Sequence, residues 1–169
     1  MRDYLSATSQ FNYQQTVDAA LHGSLTALNA CVECCDRHAL PGRIALFWEG
    51  RDGSSATYTF SDLQDKAARF ANFLLAQGVR KGDKVAGLLP RNIELLITVF
   101  ATWRIGAVYQ PLFTAFGPKA IEHRLNSSGA ALVVTDAVNR PKLAEVEGCP
   151  TIVTVTGAKG EGLVRGDFS

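Results

Sequence analysis

The feature that most constrains this chain is a rhythm. Strand-patterned runs begin at residues 84, 107, 131 and 151, spaced by 23, 24 and 20 residues, with helix-patterned segments between them. Strands at that interval with intervening helices read as βαβ units. Right-handed crossovers then make neighbouring strands parallel and place helices over the sheet. The expected fold is therefore α/β: a mainly parallel sheet of βαβ units with helices on both faces.

The local signals agree. Ser61-Asp-Leu-Gln64 reads as a capping box opening a helix, with Leu63, Ala67, Phe70, Ala71 and Leu74 on one face and Gly78 closing it. A strand over 84–89 stops at Pro90. Asn92 caps a second helix, with Glu94 in its first turn facing the positive end of the dipole. Leu95, Val99 and Trp103 are its expected buried stripe, and Gly106 ends it. A strand over 107–112 leads to a helix opened by Gly117-Pro118, with Ile121 and Leu125 facing inward and Gly129 at its end. A strand over 131–135, a short helix over 141–146 and a strand over 151–155 complete the pattern.

Upstream, runs over 44–48 and 57–60 flank a Gly/Ser-rich turn and predict a small antiparallel hairpin. Residues 1–42 read as a partly helical leader. Leu28, Val32 and Cys35 recur at helical spacing before Leu40-Pro41-Gly42 breaks the run. The organisation expected is a leader over 1–42, an α/β subdomain over 43–155 and a flexible tail over 156–169. The tail carries no terminating element, so the chain is expected to be cut from a longer polypeptide.

Composition excludes several classes. With 17 Lys+Arg against 16 Asp+Glu, the formal net charge of +1 gives no global attraction to nucleic acid or to an anionic membrane. No uncharged stretch, the one over 105–118 included, exceeds 14 residues, shorter than the ~20 a membrane span needs. The start has no apolar segment of signal-peptide type. Four cysteines, three of them within five positions, are too few for a disulfide scaffold and suit a reducing cytoplasm.

Few motifs carry chemistry by themselves. Gly157-Ala-Lys-Gly-Glu-Gly162 follows a strand but lacks the Lys-Ser/Thr ending of a phosphate loop, and reads as a mobile loop. Cys31, Cys34 and Cys35, with His38 within a turn, lack the second cluster that zinc requires; a helix with small buried thiols is the better reading. His22 and His123 join no triad spacing. Asp136, at a strand's C-terminal end, reads as a turn or cap residue. Arg140 and Lys142 beyond it form a basic pair, ordinarily a solvated surface, which also suits a phosphate.

Three segments taken together do carry a signature: Tyr58-Thr-Phe-Ser-Asp-Leu63; Gly78-Val-Arg-Lys-Gly-Asp-Lys-Val85 followed by Leu88-Leu-Pro-Arg-Asn92; and Ala101-Thr-Trp-Arg-Ile-Gly-Ala-Val-Tyr-Gln-Pro-Leu112. Their order and spacing resemble the N-terminal region of the AMP-forming acyl-CoA synthetases, of the adenylate-forming superfamily. The resemblance runs from about residue 28 to 155. The stretches from Leu28 to His38 and from Ile44 to Glu49 look like its short- and medium-chain acyl branch.

That resemblance implies a ligase that joins a carboxylate to ATP as an acyl-adenylate, releases pyrophosphate and passes the acyl group to CoA, with Mg²⁺ offsetting phosphate charge. The family's phosphate loop, Mg²⁺- and adenine-binding run, ribose-binding Asp and C-terminal lysine all match nothing here, so the 169-residue chain alone is expected to be inactive and to hold no cofactor. ATP, Mg²⁺ and CoA belong to the parent enzyme. The implied partners are the rest of the same polypeptide, a carboxylic acid and CoA, with self-association through uncovered apolar surface. In the acetyl-CoA branch a Phe-Gly-Gly segment contacts the adenine of CoA; Phe113, Thr114 and Ala115 stand at that place, with both glycines replaced. Arginines after the next strand hold the CoA 3′-phosphate there, and Arg140 falls at that place, with Lys142 a weaker match. Two other readings remain: a free-standing flavodoxin-like binding domain, and a pure interaction module.

Overall fold

Continuous apolar runs such as Leu132-Val-Val134 have no polar face to turn to water, so they call for cover on both sides of the sheet. The structure, a computed structural model that describes residues 3–155, provides it. Four strands, β3 (Lys84–Leu88), β4 (Val108–Pro111), β5 (Ala130–Asp136) and β6 (Thr151–Val155), form one sheet in the order β4-β3-β5-β6. All three pairings are parallel. The Gly-rich segment over 157–162 and the tail over 156–169 lie outside the described residues.

The helices divide between the two faces. α4 (Phe60–Ala76) and α5 (Ile93–Arg104) cover one, where Ala71, Leu74 and Ala101 pack with Val85, Leu132, Val134 and Val153. α6 (Pro118–Ser128) and α7 (Arg140–Leu143) cover the other, where Ile121, Leu125 and Leu143 meet Ala86, Leu88 and Val133. The chain steps from β3 outward to β4, then crosses back over β3 to β5. That reversal makes the C-terminal ends of β3 and β5 a topological switch point, where open α/β sheets bind ligands. Gly129 ends α6 at φ 61°, a left-handed conformation that favours glycine.

Ahead of the sheet, β1 (Ile44–Glu49) and β2 (Ser55–Thr59) pair antiparallel as a separate two-stranded ribbon. The leader holds α1 (Tyr4–Ser9), α2 (Tyr13–Ala20), α3 (Ala30–Cys34) and a single 3-10 turn (Asp36–His38). The carboxylate of Glu33 gathers it, accepting from the backbone N–H groups of Gly23 and His22 and from Arg37. Arg104 on α5 reaches Asp36 at 2.5 Å and ties the leader to the body.

Several elements differ in detail from the sequence reading. The capping box is not Ser61/Gln64. Thr59 caps α4, accepting from the Asp62 N–H at 3.1 Å, and Asp62 returns the bond to the Thr59 N–H at 2.8 Å. Phe60 is thus the first helical residue rather than the end of a strand. It packs beside Cys31, Cys35 and Leu63, a tertiary contact that sets where the helix starts. On α5 the buried face is Thr98, Ala101 and Thr102, whereas Leu95, Val99 and Trp103 are only partly buried. The two threonines are buried at no loss because each hydroxyl bonds back to a carbonyl four residues earlier, at 2.7 Å. In the leader the buried pair is Cys31 and Cys35, one turn apart, while Leu28 lies before the helix and is exposed. The last helix spans Arg140–Leu143 only.

Candidate functional site

A cleft of about 860 Å³ opens at the C-terminal ends of β3 and β4, beneath the hairpin. Its walls come mainly from four places: Trp48 to Arg51 at the end of β1 and into the hairpin turn, the 89–92 turn after β3, residues between Tyr109 and Phe116 on and beyond β4, and Arg124 on α6. Trp48 fixes one wall by donating its indole N–H to the Arg91 carbonyl at 2.8 Å. Arg51, Arg91 and Arg124 line the cleft against a single acid, Glu49, so its polar rim is net positive.

Tyr109 forms the floor. It stands opposite Val85 in the β3–β4 register and leans across Gly87, whose missing Cβ makes the room. Its hydroxyl is buried and has no hydrogen-bond partner among the described residues. Burial pushes the phenol up to about 12, so it stays a neutral donor at ordinary pH.

The loop after β4 carries the first group of residues singled out in the sequence. Phe113 is 63% exposed, its ring edge-on to Phe116 at 5.8 Å. Arg124 lies over the other ring at 4.1 Å, a cation–π contact that anchors the loop to α6. Thr114 is half-buried and Ala115 exposed. The second group lies on the turn after β5. Asp136 accepts from the backbone N–H and the side-chain amide of Asn139, both at 2.8 Å. This is the hydrogen bonding of a turn residue. Asn139 in turn accepts from the Lys142 ammonium at 3.0 Å.

The two groups meet. The Lys142 ammonium also donates to the carbonyl of Thr114, across 28 residues of sequence. The basic pair is therefore not a solvated surface: Arg140 is only 8% exposed, and Lys142 is half-buried and engaged. The cleft wall at Trp48, Tyr109 and Arg124 went unseen in the sequence. One signal pointed to it: a glycine in the middle of a strand, at Gly87, marks a close approach.

The remaining candidates fall elsewhere. Cys31 and Cys35 are buried behind α4, and burial pushes their thiols up to about 12 and about 11, so neither is a ready nucleophile. His38 faces Arg43 and the Phe60 ring. His22 and His123 are exposed. Among the described residues no three His, Cys, Asp or Glu side chains converge as a metal site would require, and no helix is long and apolar enough to cross a membrane.

Comparison with known proteins bears on this geometry. The sequence profile of a family described as AMP-binding enzyme matches residues 35–166. Acetyl-coenzyme A synthetase of Chromobacterium violaceum is 40% identical over 110 residues, which are 64% of this chain and 17% of that protein. The Sodalis glossinidius acetyl-coenzyme A synthetase is 44% identical over 111 residues, with the same two coverages. The crystal structure of Brucella canis acyl-CoA synthetase superposes with a TM-score of 0.95 at 51% identity, covering 99% of this chain and 31% of that one. The chain thus spans less than a fifth of these curated relatives and about a third of the solved one.

Proposed function

The chain belongs to the family of AMP-binding enzymes, and from that premise we propose that it is the N-terminal portion of an AMP-forming acyl-CoA synthetase acting on short- or medium-chain acids. The observation that carries the reading is the 51% identity to the Brucella canis enzyme across 99% of this chain. A likeness of that breadth at TM-score 0.95 favours it over a free-standing flavodoxin-like domain or an interaction module. In this reading the rest of the polypeptide is the chain's partner, and the complete enzyme uses ATP, Mg²⁺, a carboxylic acid and CoA. The described residues supply no set of metal ligands, so no step of the chemistry is assigned to Mg²⁺ here.

Within that enzyme, this portion serves CoA. The exposed face of Phe113 stacks on the adenine ring, with Thr114 and Ala115 beside it. Because those two carry side chains where the acetyl branch has glycines, the aromatic face rather than the backbone makes the closest contact. Arg140 meets the 3′-phosphate, a dianion that gains from a charge-assisted donor.

Two measurements test this. The complete gene product should form acyl-CoA from ATP, CoA and acids of two to ten carbons, and show carboxylate-dependent ATP–pyrophosphate exchange. The purified 169-residue chain should show neither. A complete protein that forms no acyl-CoA refutes the function, and exchange catalysed by the isolated chain refutes the assignment of adenylation to other segments. Arg140→Ala in the complete enzyme should raise the KM for CoA roughly tenfold to a hundredfold, the loss of about 1.5–3 kcal/mol. It should also abolish the preference for CoA over dephospho-CoA. An unchanged preference removes Arg140 from the site.

A further inference from the structure

Lys142 stands where the basic pair invites a phosphate, yet its ammonium is already committed. One N–H points to the Thr114 carbonyl and another to Asn139 Oδ1 at 3.0 Å. Asn139 is itself held, through both its backbone and side-chain N–H groups, by the Asp136 carboxylate at 2.8 Å. Asp136, Asn139 and Lys142 are spaced three apart, so the end of β5, the turn after it and α7 bring a carboxylate, an amide and an ammonium into series. The series ends on a main-chain oxygen of another loop. At its root, Thr135 donates to the Leu88 carbonyl at 3.1 Å, joining the ends of β5 and β3.

We propose that Lys142 is a positioning residue: it clamps the 113–116 loop to the turn after β5, so that the two segments assigned above to CoA are held as one rigid unit. This rests on the function proposed above. Phe113 itself is exposed, and its place is set only through its neighbours. On one side Arg124 pins Phe116. On the other, the Lys142–Thr114 bond ties this loop to the third βαβ unit. An ammonium donating to a neutral carbonyl makes a strong bond, and a loop ordered before binding does not lose that entropy when ligand arrives.

The experiment compares Lys142→Gln, Lys142→Arg and, as a control, Lys119→Gln, an exposed lysine on α6. Kinetics in the complete enzyme use both CoA and dephospho-CoA. A clamp predicts that Lys142→Gln raises the KM for both thiols in parallel, by roughly tenfold, and that Lys142→Arg restores most of the loss. A rise confined to CoA makes Lys142 a phosphate ligand and overturns the clamp, as does no rise at all. The second arm needs no activity. The Phe116 N–H bonds to the Phe113 carbonyl at 2.9 Å and reports opening of the loop. Its hydrogen exchange should quicken at least tenfold in Lys142→Gln and not in Lys119→Gln; equal exchange in the two overturns the proposal. If the wild type makes no thioester, the function has failed, and the exchange arm still decides the clamp.

Discussion

A Cβ added at Gly87 would stand 2.3 Å from the Tyr109 hydroxyl and 2.9 Å from two carbons of its ring, so β3 needs glycine there for Tyr109 to cross it. Gly87→Ala should therefore cost about 1–3 kcal/mol through overpacking, read as a lower urea midpoint. Combined with Tyr109→Leu, the cost should be less than additive; full additivity would mean that the two side chains do not meet. Tyr109→Phe should be neutral or stabilising, because it removes a buried hydroxyl that has no partner among the described residues. The pH dependence has a definite sign. Burial raises this phenol from 10 to about 12 in the folded state, so the folded chain holds the proton longer. The associated stability is complete below pH 10 and is lost as pH rises through about 12. Tyr109→Phe should flatten that part of the alkaline loss.

Helix starts show where local pattern and tertiary packing compete. Ser61 and Thr59 both stand three residues before a side chain able to close a capping box, and periodicity cannot choose between them. Packing of Phe60 against the Cys31–Cys35 pair chooses Thr59. Thr59→Ala should then cost about 1 kcal/mol in thermal or urea unfolding, while Ser61→Ala stays within about 0.5 kcal/mol; the reverse order would return the cap to Ser61. The same competition accounts for what could be read in advance. The βαβ order, the hairpin, the Asn92 cap and the buried face of α4 follow from spacing and turn chemistry, all local. The buried threonines of α5 do not, because their hydroxyls are satisfied inside the helix and polarity conceals their burial. The site divides likewise. Phe113 and Arg140 lie at strand ends that the rhythm locates. The Lys142–Thr114 bond and the Trp48–Tyr109 cleft exist only once the sheet order is known, since they join residues 28 and 61 positions apart.

At the scale of the whole molecule, the sheet formed by the described residues ends on β4 and β6, each with one strand neighbour among those residues, and an edge strand carries a row of backbone donors and acceptors that pairing within the sheet does not use. Val108 on the β4 edge is 50% exposed, Phe47 on the hairpin 75%, and Phe113 and Val138, in the loops beyond the strands' C-terminal ends, 63% and 82%. A monomer's largest apolar patch is ordinarily about 300–600 Å², and scattered apolar residues alone would need no explanation. Edge strands together with large apolar side chains are a different matter, because edge pairing and apolar burial then act in the same contact. The Brucella canis chain that this fold matches is about three times longer, which leaves ample polypeptide to cover such surfaces. The 169-residue chain on its own should therefore self-associate. Sedimentation velocity over a concentration series should show species heavier than 18.2 kDa growing with concentration, and a hydrophobic dye should bind. Lys substituted at Val108, on the β4 edge, should weaken that association by disfavouring strand pairing, with little change in unfolding midpoint. A chain that sediments as a monomer at high concentration and leaves the dye dark would show that these edges and side chains do not act together as an uncovered interface.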